Sequence, residues 1–197
     1  MDKAFIYPAI EPVRLTGEEE LISGGNATPH TVLDFWRWSG STLVGNAQRG
    51  ILAEYIVACA LGIDMDDAVR YKWAPYDLET KDGKKIEVKS SAYIQTWPQR
   101  KYSAIIFGIP KTYYWDDDTN EWRDQIARHS DFYVFCHLKH KDQSTIDPLN
   151  LDQWDFYVVP TPLIDQHCSD SKSIGLSRLK AIGIEPCGYG EIKGKVE

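Results

Sequence analysis

Residues 76–89 read Y-D-L-E-T-K-D-G-K-K-I-E-V-K, and this stretch decides how the rest of the chain is interpreted. Two short runs of alternating polar and apolar residues flank its centre, K-D-G-K at 81–84, and Asp-Gly between such runs predicts a β-hairpin. Because side chains alternate between the two faces of a strand, Glu87 and Lys89 share one face of the returning strand. Asp77 lies on the first strand of the same hairpin.

The faces of this hairpin predict a cluster of charges. If Ile86 and Val88 point to the core, carboxylates from both strands and one ammonium group meet on the open face. Several like charges at close quarters are costly for a purely structural surface, but they suit a site that holds a divalent metal against a phosphodiester. The alternative is a ladder of salt bridges across the strands on a solvated face. Metal binding distinguishes the two interpretations.

The same residues resemble the motif of the PD-(D/E)xK nuclease superfamily, which has the restriction-endonuclease-like fold. Asp77 matches the first acid of that motif, with Pro75 two residues ahead of it rather than adjacent, and residues 87–89 match E-x-K. Residues 90–97, S-S-A-Y-I-Q-T-W, are similar to an extension in which a Gln follows the Lys by several residues. The resemblance covers roughly residues 45–137.

This resemblance implies a Mg²⁺ site, in which Mn²⁺ is expected to substitute. The implied ligands are Asp77, Glu87, the Val88 carbonyl and Glu54. Lys89 would orient the attacking water or help to deprotonate it, and would stabilise the negative charge that develops on the phosphate. Gln95 would position Lys89 or contact the substrate backbone. We expect nucleic-acid contacts from residues that are close in the sequence, namely Lys84, Lys85, Ser90, Ser91, Arg100 and Lys101; the two serines could equally begin the next turn.

Glu54 lies on the clearest predicted helix, residues 46–61, where apolar residues recur at helical spacing and Gly62 marks the end. A buried Glu without a partner is costly, so Glu54 must reach a cation or several donors. One interpretation is that it completes the metal site. The other is that it lies in water at the helix boundary, or pairs with Arg49 or Arg70.

The apolar runs predict an α/β fold, specifically a restriction-endonuclease-like mixed β-sheet of about five strands flanked by helices. Strands are predicted at 76–80, 85–89, 103–109, 131–137 and 155–159, and helices at 46–61, at 177–182 and from Thr28-Pro29 onward. The resemblance implies a crossover helix between the third and fourth strands, for which the segment near 120–129 is available.

Length and the lack of a visible linker predict one domain over residues 1–197. Its predicted parts are an irregular N-terminal arm (1–27), a nuclease-like core (45–137) that contains the metal-site hairpin (76–89), and a C-terminal elaboration (138–197).

The net charge of −7 weighs against a protein that coats nucleic acid with a broad basic surface. It does not exclude a nuclease, because carboxylates that bind metal lower the net charge. The four cysteines form no C-x-x-C pair, which predicts free thiols in a reducing cytoplasm. No long apolar span is visible, so no membrane partner is expected. The pattern is compatible with a homodimer.

The sequence therefore predicts a Mg²⁺-dependent endonuclease that hydrolyses phosphodiester bonds, with DNA as the expected substrate and RNA left open. The alternative from another class is a non-catalytic nucleic-acid-binding or protein-interaction module on the same fold. The intact set of Asp77, Glu87 and Lys89 favours the enzyme. A third interpretation is a structural protein whose hairpin is merely charged.

Overall fold

The computed structural model describes residues 7, 10–65, 69–70, 74–116, 119 and 121–197. The strands and helices in chain order are β1 (Glu20–Ser23), β2 (Asn26–Thr31), α1 (Val32–Gly40), α2 (Asn46–Leu61), β3 (Leu78–Glu79), β4 (Lys85–Ala92), β5 (Ile106–Gly108), β6 (Thr112–Asp116), β7 (Glu121–Ala127), β8 (Phe132–Leu138), β9 (Trp154–Pro160), α3 (Thr161–Cys168), β10 (Ser173–Gly175), α4 (Leu176–Ala181) and α5 (Ile192–Val196).

A mixed central sheet organises the chain, with the strand order β3-β4-β8-β9. β4 runs parallel to β8, and the other two pairs are antiparallel. Glu87 lies beside Tyr133 and Lys89 beside Phe135 in the parallel register. The predicted α/β class is confirmed, as a sheet of four strands rather than about five.

Two apolar layers cover the two faces of this sheet. On one face Val88 and Val134 pack against α2 and α5, through residues such as Val57 and Ile192. The opposite layer contains the strand residues Tyr133, Phe135, Tyr157 and Val159, which pack with α3, α4, β5 and β10. Because neighbouring side chains alternate, Glu87 and Lys89 lie on the face of this second layer.

Helix α2 is confirmed with the predicted bounds. Its buried face carries Ala53, Ile56 and Val57, and it ends at Leu61. Gly62 follows in the left-handed conformation, with φ 69°, and its N–H caps the helix carbonyls. This helix packs directly behind β4, which is the strand that carries the E-x-K triplet.

The helix predicted from Thr28-Pro29 onward begins later than expected. Residues 26–31 form strand β2, which pairs with β1 in a small hairpin inside the segment predicted to be an irregular arm. Helix α1 begins at Val32, because Thr31 and Asp34 form a reciprocal capping box there. The capping box therefore overrides the weaker signal of Pro at the first helical position.

Two further predictions are wrong in the segment between β4 and β8. Of the strand predicted at 103–109, only β5 forms, and it pairs with β10 outside the central sheet. The crossover helix predicted near 120–129 is strand β7, which pairs with β6 in an antiparallel hairpin. The rings of Trp115 and Trp122 contact each other across this hairpin with centroids 5.6 Å apart, and such cross-strand aromatic pairs favour a strand over a helix.

The C-terminal third belongs to the same core as the rest. Strand β9 completes the central sheet, and Ile192 and Val196 are buried against the α2 layer. Arg128, at the end of β7, is buried and donates to the carbonyls of Ile109 and Cys168, which fixes the hairpin to the second layer. All four cysteines are free. Within the described ranges, no helix is long and apolar enough to cross a bilayer.

Candidate active site

The edge of β4 carries the candidate site. β3 pairs only with residues Lys85 and Ile86, so no strand of the described chain pairs with the same edge of β4 beyond this point. Asp77 occupies that edge: its N–H donates to the Ile86 carbonyl at 3.0 Å, and its Oδ2 accepts from the Val88 N–H at 2.7 Å. The short first strand thus places the Asp77 carboxylate beside the E-x-K triplet.

Lys89 links the two predicted acids. Its Nζ forms an ion pair with Glu87 and lies 3.7 Å from Asp77 Oδ2. The three side chains are partly buried, with 34% of Lys89, 21% of Asp77 and 19% of Glu87 exposed. The structure therefore brings together the three residues that the sequence singled out, in a place that solvent and a substrate can still reach.

Burial and neighbouring charges act on the protonation of this cluster. Burial raises the pKa of Glu87, and the charge of Asp77 raises it further, against the opposing effect of Lys89. Burial alone would lower the pKa of Lys89, but Glu87 and Asp77 outweigh it, and the pKa of Lys89 is raised. Lys89 is therefore an ammonium group at neutral pH rather than a free base.

The Val88 carbonyl points to the same edge. Within a strand, the N–H and C=O of one residue lie on the same side, and the Val88 N–H points to Asp77. The carbonyl is therefore on the Asp77 side of β4 and not in the ladder with β8. This direction is compatible with the implied role of a backbone ligand.

Glu54 makes the alternative contact that the sequence left open. Arg70 donates to both of its carboxylate oxygens, one of them at 2.8 Å. The Glu54 side chain is 12% exposed, so this pairing satisfies a carboxylate that is largely removed from water. A cage of three carboxylates is not formed: among the described residues, no group of three or more His, Cys, Asp or Glu side chains could hold a metal ion.

The donors that remain fit a magnesium ion that is shared with a substrate. Mg²⁺ prefers oxygen donors, is commonly bound through one or two carboxylates, and completes its shell with waters and phosphate oxygens. Asp77, Glu87 and the Val88 carbonyl supply such oxygens at one edge. A closed protein cage is not required for this kind of binding.

Asp77 lies between two clefts. The first, of about 360 Å³, separates the hairpin from α2 and includes Glu54 and Arg70. The second, of about 320 Å³, opens between the hairpin and the β6–β7 hairpin and includes Glu87. Its far wall is aromatic and consists of Tyr113, Tyr114, Trp115 and Trp122. Sequence reasoning did not connect this wall to the site, because it interpreted part of the segment as a helix.

The other predicted residues are distributed around this centre. Gln95 is buried and bonds to the Ala92 carbonyl and to Arg49, and it makes no described contact with Lys89. The Lys84 ammonium donates to the Val196 carbonyl at 2.9 Å, on the side of the C-terminus. The Lys85 ammonium lies over the ring of Tyr76, at 5.2 Å from its centroid, close to the second cleft.

Two pairs of predicted residues lie further along the chain from the acids. Ser90 is half-buried and Ser91 is buried, and they alternate between the two faces of β4. Arg100 and Lys101 are exposed and line a separate, larger cleft beyond the end of β4. The structure therefore does not bring these four residues into contact with Asp77 and Glu87.

The fold and the site together define an α/β protein whose acid–lysine cluster lies at the edge of the central sheet between two open clefts. Residues 30–177, about three quarters of the chain, match the family model described as bacteriophage T4 endonuclease IV. The chain therefore belongs to the bacteriophage T4 endonuclease IV family and is a nuclease. The match includes the whole hairpin and extends beyond the range of the PD-(D/E)xK resemblance at both ends. No curated protein matches the sequence.

Proposed function

We propose that this nuclease is a Mg²⁺-dependent endonuclease that hydrolyses phosphodiester bonds of DNA at Asp77, Glu87 and Lys89, as a PD-(D/E)xK-type site. One observation carries the proposal: the Lys89 ammonium is held between two carboxylates at an edge of the central sheet that no described strand covers. Membership of an endonuclease family supports the reaction class.

Asp77, Glu87 and the Val88 carbonyl would hold the metal ion, for which Mn²⁺ is expected to substitute. When bound, the ion neutralises charge on the phosphate and acidifies a water molecule. Glu54 would take part only if it exchanged Arg70 for the metal, since its carboxylate is occupied. Its pairing with Arg70 gives Glu54 a structural role in the absence of metal.

Lys89 would supply positive charge where the reaction creates negative charge. Attack on a phosphodiester builds negative charge on the phosphoryl oxygens, and a preorganised ammonium stabilises it without reorganising. The raised pKa of Lys89 keeps this group protonated before the substrate arrives. Orientation of the attacking water, rather than removal of its proton, is the second role that a protonated Lys89 can perform.

The aromatic wall of the second cleft would contact the nucleotides beside the scissile phosphate. Trp122 is 64% exposed and Tyr113 is 53% exposed, and both line the cleft that contains Asp77 and Glu87. Aromatic faces stack on bases irrespective of sequence. A non-catalytic binding module would use the same wall, but it would have no need of the Lys89 ion pairs.

Turnover tests the proposal directly. Purified protein is incubated with circular single-stranded DNA, supercoiled duplex DNA and RNA, each with Mg²⁺, with Mn²⁺ and with excess EDTA. We expect cleavage of at least one DNA form with either metal, and none in EDTA. Intact DNA substrates at saturating metal would contradict the proposed enzyme, and cleavage of RNA alone would contradict the proposed substrate.

A further inference from the structure

A third cleft, separate from the two beside Asp77, lies beyond the end of β4. It has a volume of about 910 Å³, more than twice that of either cleft beside Asp77. The lining residues are Ile94, Thr96, Trp97, Pro98, Gln99, Arg100, Lys101, Tyr102, Lys141 and Gln143. The sequence predicted nucleic-acid contacts for Arg100 and Lys101, but not for the aromatic residues of this cleft or for Lys141.

The charged residues that line this cleft are all positive. Arg100, Lys101 and Lys141 line it, whereas none of the described residues in its lining is an Asp or a Glu. Arg49 is a buried cation near the same loop: its guanidinium donates to the side chain of Gln95, which precedes the cleft residue Thr96, and has no carboxylate partner in the described chain. In a protein with a net charge of −7, such a concentration of cations favours a polyanionic ligand.

Aromatic rings stand among these cations. Trp97 is 50% exposed and Tyr102 is 51% exposed. The Lys141 ammonium lies 4.5 Å from the ring centroid of Tyr93 and 5.6 Å from that of Tyr102, so cation–π contacts hold it against the rings. Cations interleaved with accessible aromatic faces are the combination by which proteins bind the phosphates and the bases of an unpaired strand.

The wall of the cleft is preorganised. The Gln99 side chain accepts from the Gln95 N–H at 2.7 Å and donates to the Tyr93 carbonyl at 3.1 Å. It also donates to the Ser103 hydroxyl at 3.0 Å. The half-buried amide of Gln99 thus ties both ends of the loop that presents Trp97. Binding to such a loop loses little conformational entropy.

The cleft and the candidate active site share one face of the sheet. Tyr93, over which Lys141 lies, packs against the layer that contains Phe135, the register partner of Lys89. Lys89 and Ile94 are five residues apart, so their Cα atoms are separated by at most about 18 Å. At a rise of about 3.4 Å per nucleotide, a strand in the active site reaches this cleft within about five nucleotides.

From these observations we infer that the cleft of Trp97, Tyr102, Arg100, Lys101 and Lys141 is a nucleotide-binding subsite. It holds an unpaired nucleotide of the substrate strand to one side of the cleavage position. This inference rests on the proposed function for the identity of the polymer. Trp97 and Tyr102 stack on a base and the three cations bind its flanking phosphates. A paired base cannot use the aromatic faces, since its own faces are covered by its neighbours in the duplex.

Binding without turnover tests the subsite. The probe is a fluorescein-labelled oligothymidylate of about 15 nucleotides, longer than the roughly five that separate the two sites, and anisotropy is measured in EDTA. We expect Trp97→Ala to weaken binding roughly 10-fold, as for one lost stack. Lys141→Ala should reduce the slope of log K against log salt concentration by about 0.7, the value for one lost contact on a single strand. A labelled blunt-ended duplex of two complementary strands, which has no unpaired loop, should show neither effect.

Matched controls and a second variant keep the test decisive. Trp38→Ala removes a tryptophan that is 84% exposed on α1, and Lys180→Ala removes an exposed cation on α4; both should bind the oligothymidylate like wild type. If Trp97→Ala does not fold, the pair Arg100→Ala and Lys101→Ala, two exposed side chains, should each reduce the salt slope. Wild-type protein that does not bind the oligothymidylate overturns the inference.

Two other results also overturn it. One is unchanged binding in all cleft variants, and the other is an equal loss of affinity for the duplex, which would mean that bases are not stacked there. The outcomes separate this inference from the proposed function. Cleavage by wild type with unchanged binding in Trp97→Ala overturns the subsite alone. A subsite effect in a protein that cleaves no DNA overturns the catalytic proposal alone.

Discussion

Lys89 is the residue on which the charge balance of the site depends. Its ammonium lies 3.7 Å from Asp77 Oδ2 and contacts Glu87, so it separates two carboxylates that would otherwise repel each other. The structure thus contains ion pairs of the kind expected for a salt-bridge ladder, and their two carboxylates are the ones that we propose as metal ligands. The response of each acid to a divalent ion distinguishes the two.

Glu87→Gln should be close to neutral without metal, because burial and the Asp77 charge already disfavour the ionised form of Glu87. Asp77→Asn should also be mild, since an amide oxygen can still accept from the Val88 N–H. We expect both variants to change the free energy of unfolding by less than about 1 kcal/mol. We expect Mn²⁺ to raise the melting temperature of wild type, and both variants should lose this rise.

Thermal melts with and without saturating Mn²⁺ measure this effect, and Glu79→Gln, a carboxylate on the same hairpin that binds Tyr76 instead, is the matched control. The Glu79 variant should keep the Mn²⁺ response. A wild type whose melting temperature ignores Mn²⁺ would favour the ladder over the metal site.

At the scale of elements, β8 is one of the two inner strands of the central sheet, and residues 133–138 are all buried. It contains one histidine, His137, whose ring nitrogens have no hydrogen-bond partner in the described chain. Burial lowers the pKa of His137 to about 4; Asp155 opposes this shift, whereas Lys139 and Lys141 add to it. His137 is therefore neutral in the folded protein at pH values where the unfolded chain begins to bind a proton.

This difference predicts a loss of stability in acid. The pKa of His137 in the unfolded chain is near 6.5, so the unfolded state binds the proton first as the pH falls. The contribution of His137 to the free energy of unfolding is therefore complete above pH 6.5 and is lost as the pH falls towards 4. Between pH 7 and pH 5 we expect His137 to remove about 2 kcal/mol from the free energy of unfolding. Urea unfolding at both pH values should show this loss for wild type, and a correspondingly smaller loss for His137→Phe.

His30→Gln, at an exposed histidine of β2, is the control and should keep the pH dependence of wild type. An equal pH dependence in His137→Phe and wild type would mean that the ring is protonated, or bonded to an acceptor, in the folded state.

Elements with a strong local signal could be predicted from the sequence. Helix α2 has the expected bounds because its apolar spacing and Gly62 agree. The Asp-Gly turn placed Asp77 near the E-x-K triplet, and the ion pairs of Lys89 followed from the alternation of β4. Strand β7 differs from the helix predicted near 120–129 because it is stabilised by cross-strand aromatic contacts with β6, which a local pattern does not show.

Contacts between segments that are distant in the chain could not be predicted from the sequence. The pairing of Glu54 with Arg70 depends on how the segment after α2 folds back, so the sequence could only leave it as an alternative. The pairing of β5 with β10 joins segments that are far apart in the chain. The cleft of Trp97 and Lys141 joins the loop after β4 to the segment after β8, and periodicity carries no signal for that.

At the scale of the whole molecule, the proposed catalytic residues lie at one edge of the central sheet, and the proposed substrate contacts lie along one face of it. α2 packs behind β4, so Glu87 and Lys89 are held on a rigid strand, and Asp77 is hydrogen-bonded to the edge of that strand. The β6–β7 hairpin and the loop of Trp97 then flank the site from two sides. The proposed catalytic role of this site requires that Lys89 acts in the chemical step.

The most direct test is single-turnover cleavage of DNA by Lys89→Ala at saturating Mg²⁺, beside Lys81→Ala, which removes an exposed lysine from the turn of the same hairpin. We predict that Lys89→Ala lowers the cleavage rate by roughly 100-fold or more, the scale for one lost electrostatic contact in the transition state. Lys81→Ala should cleave like wild type. A folded Lys89→Ala protein that cleaves at the wild-type rate would contradict the account.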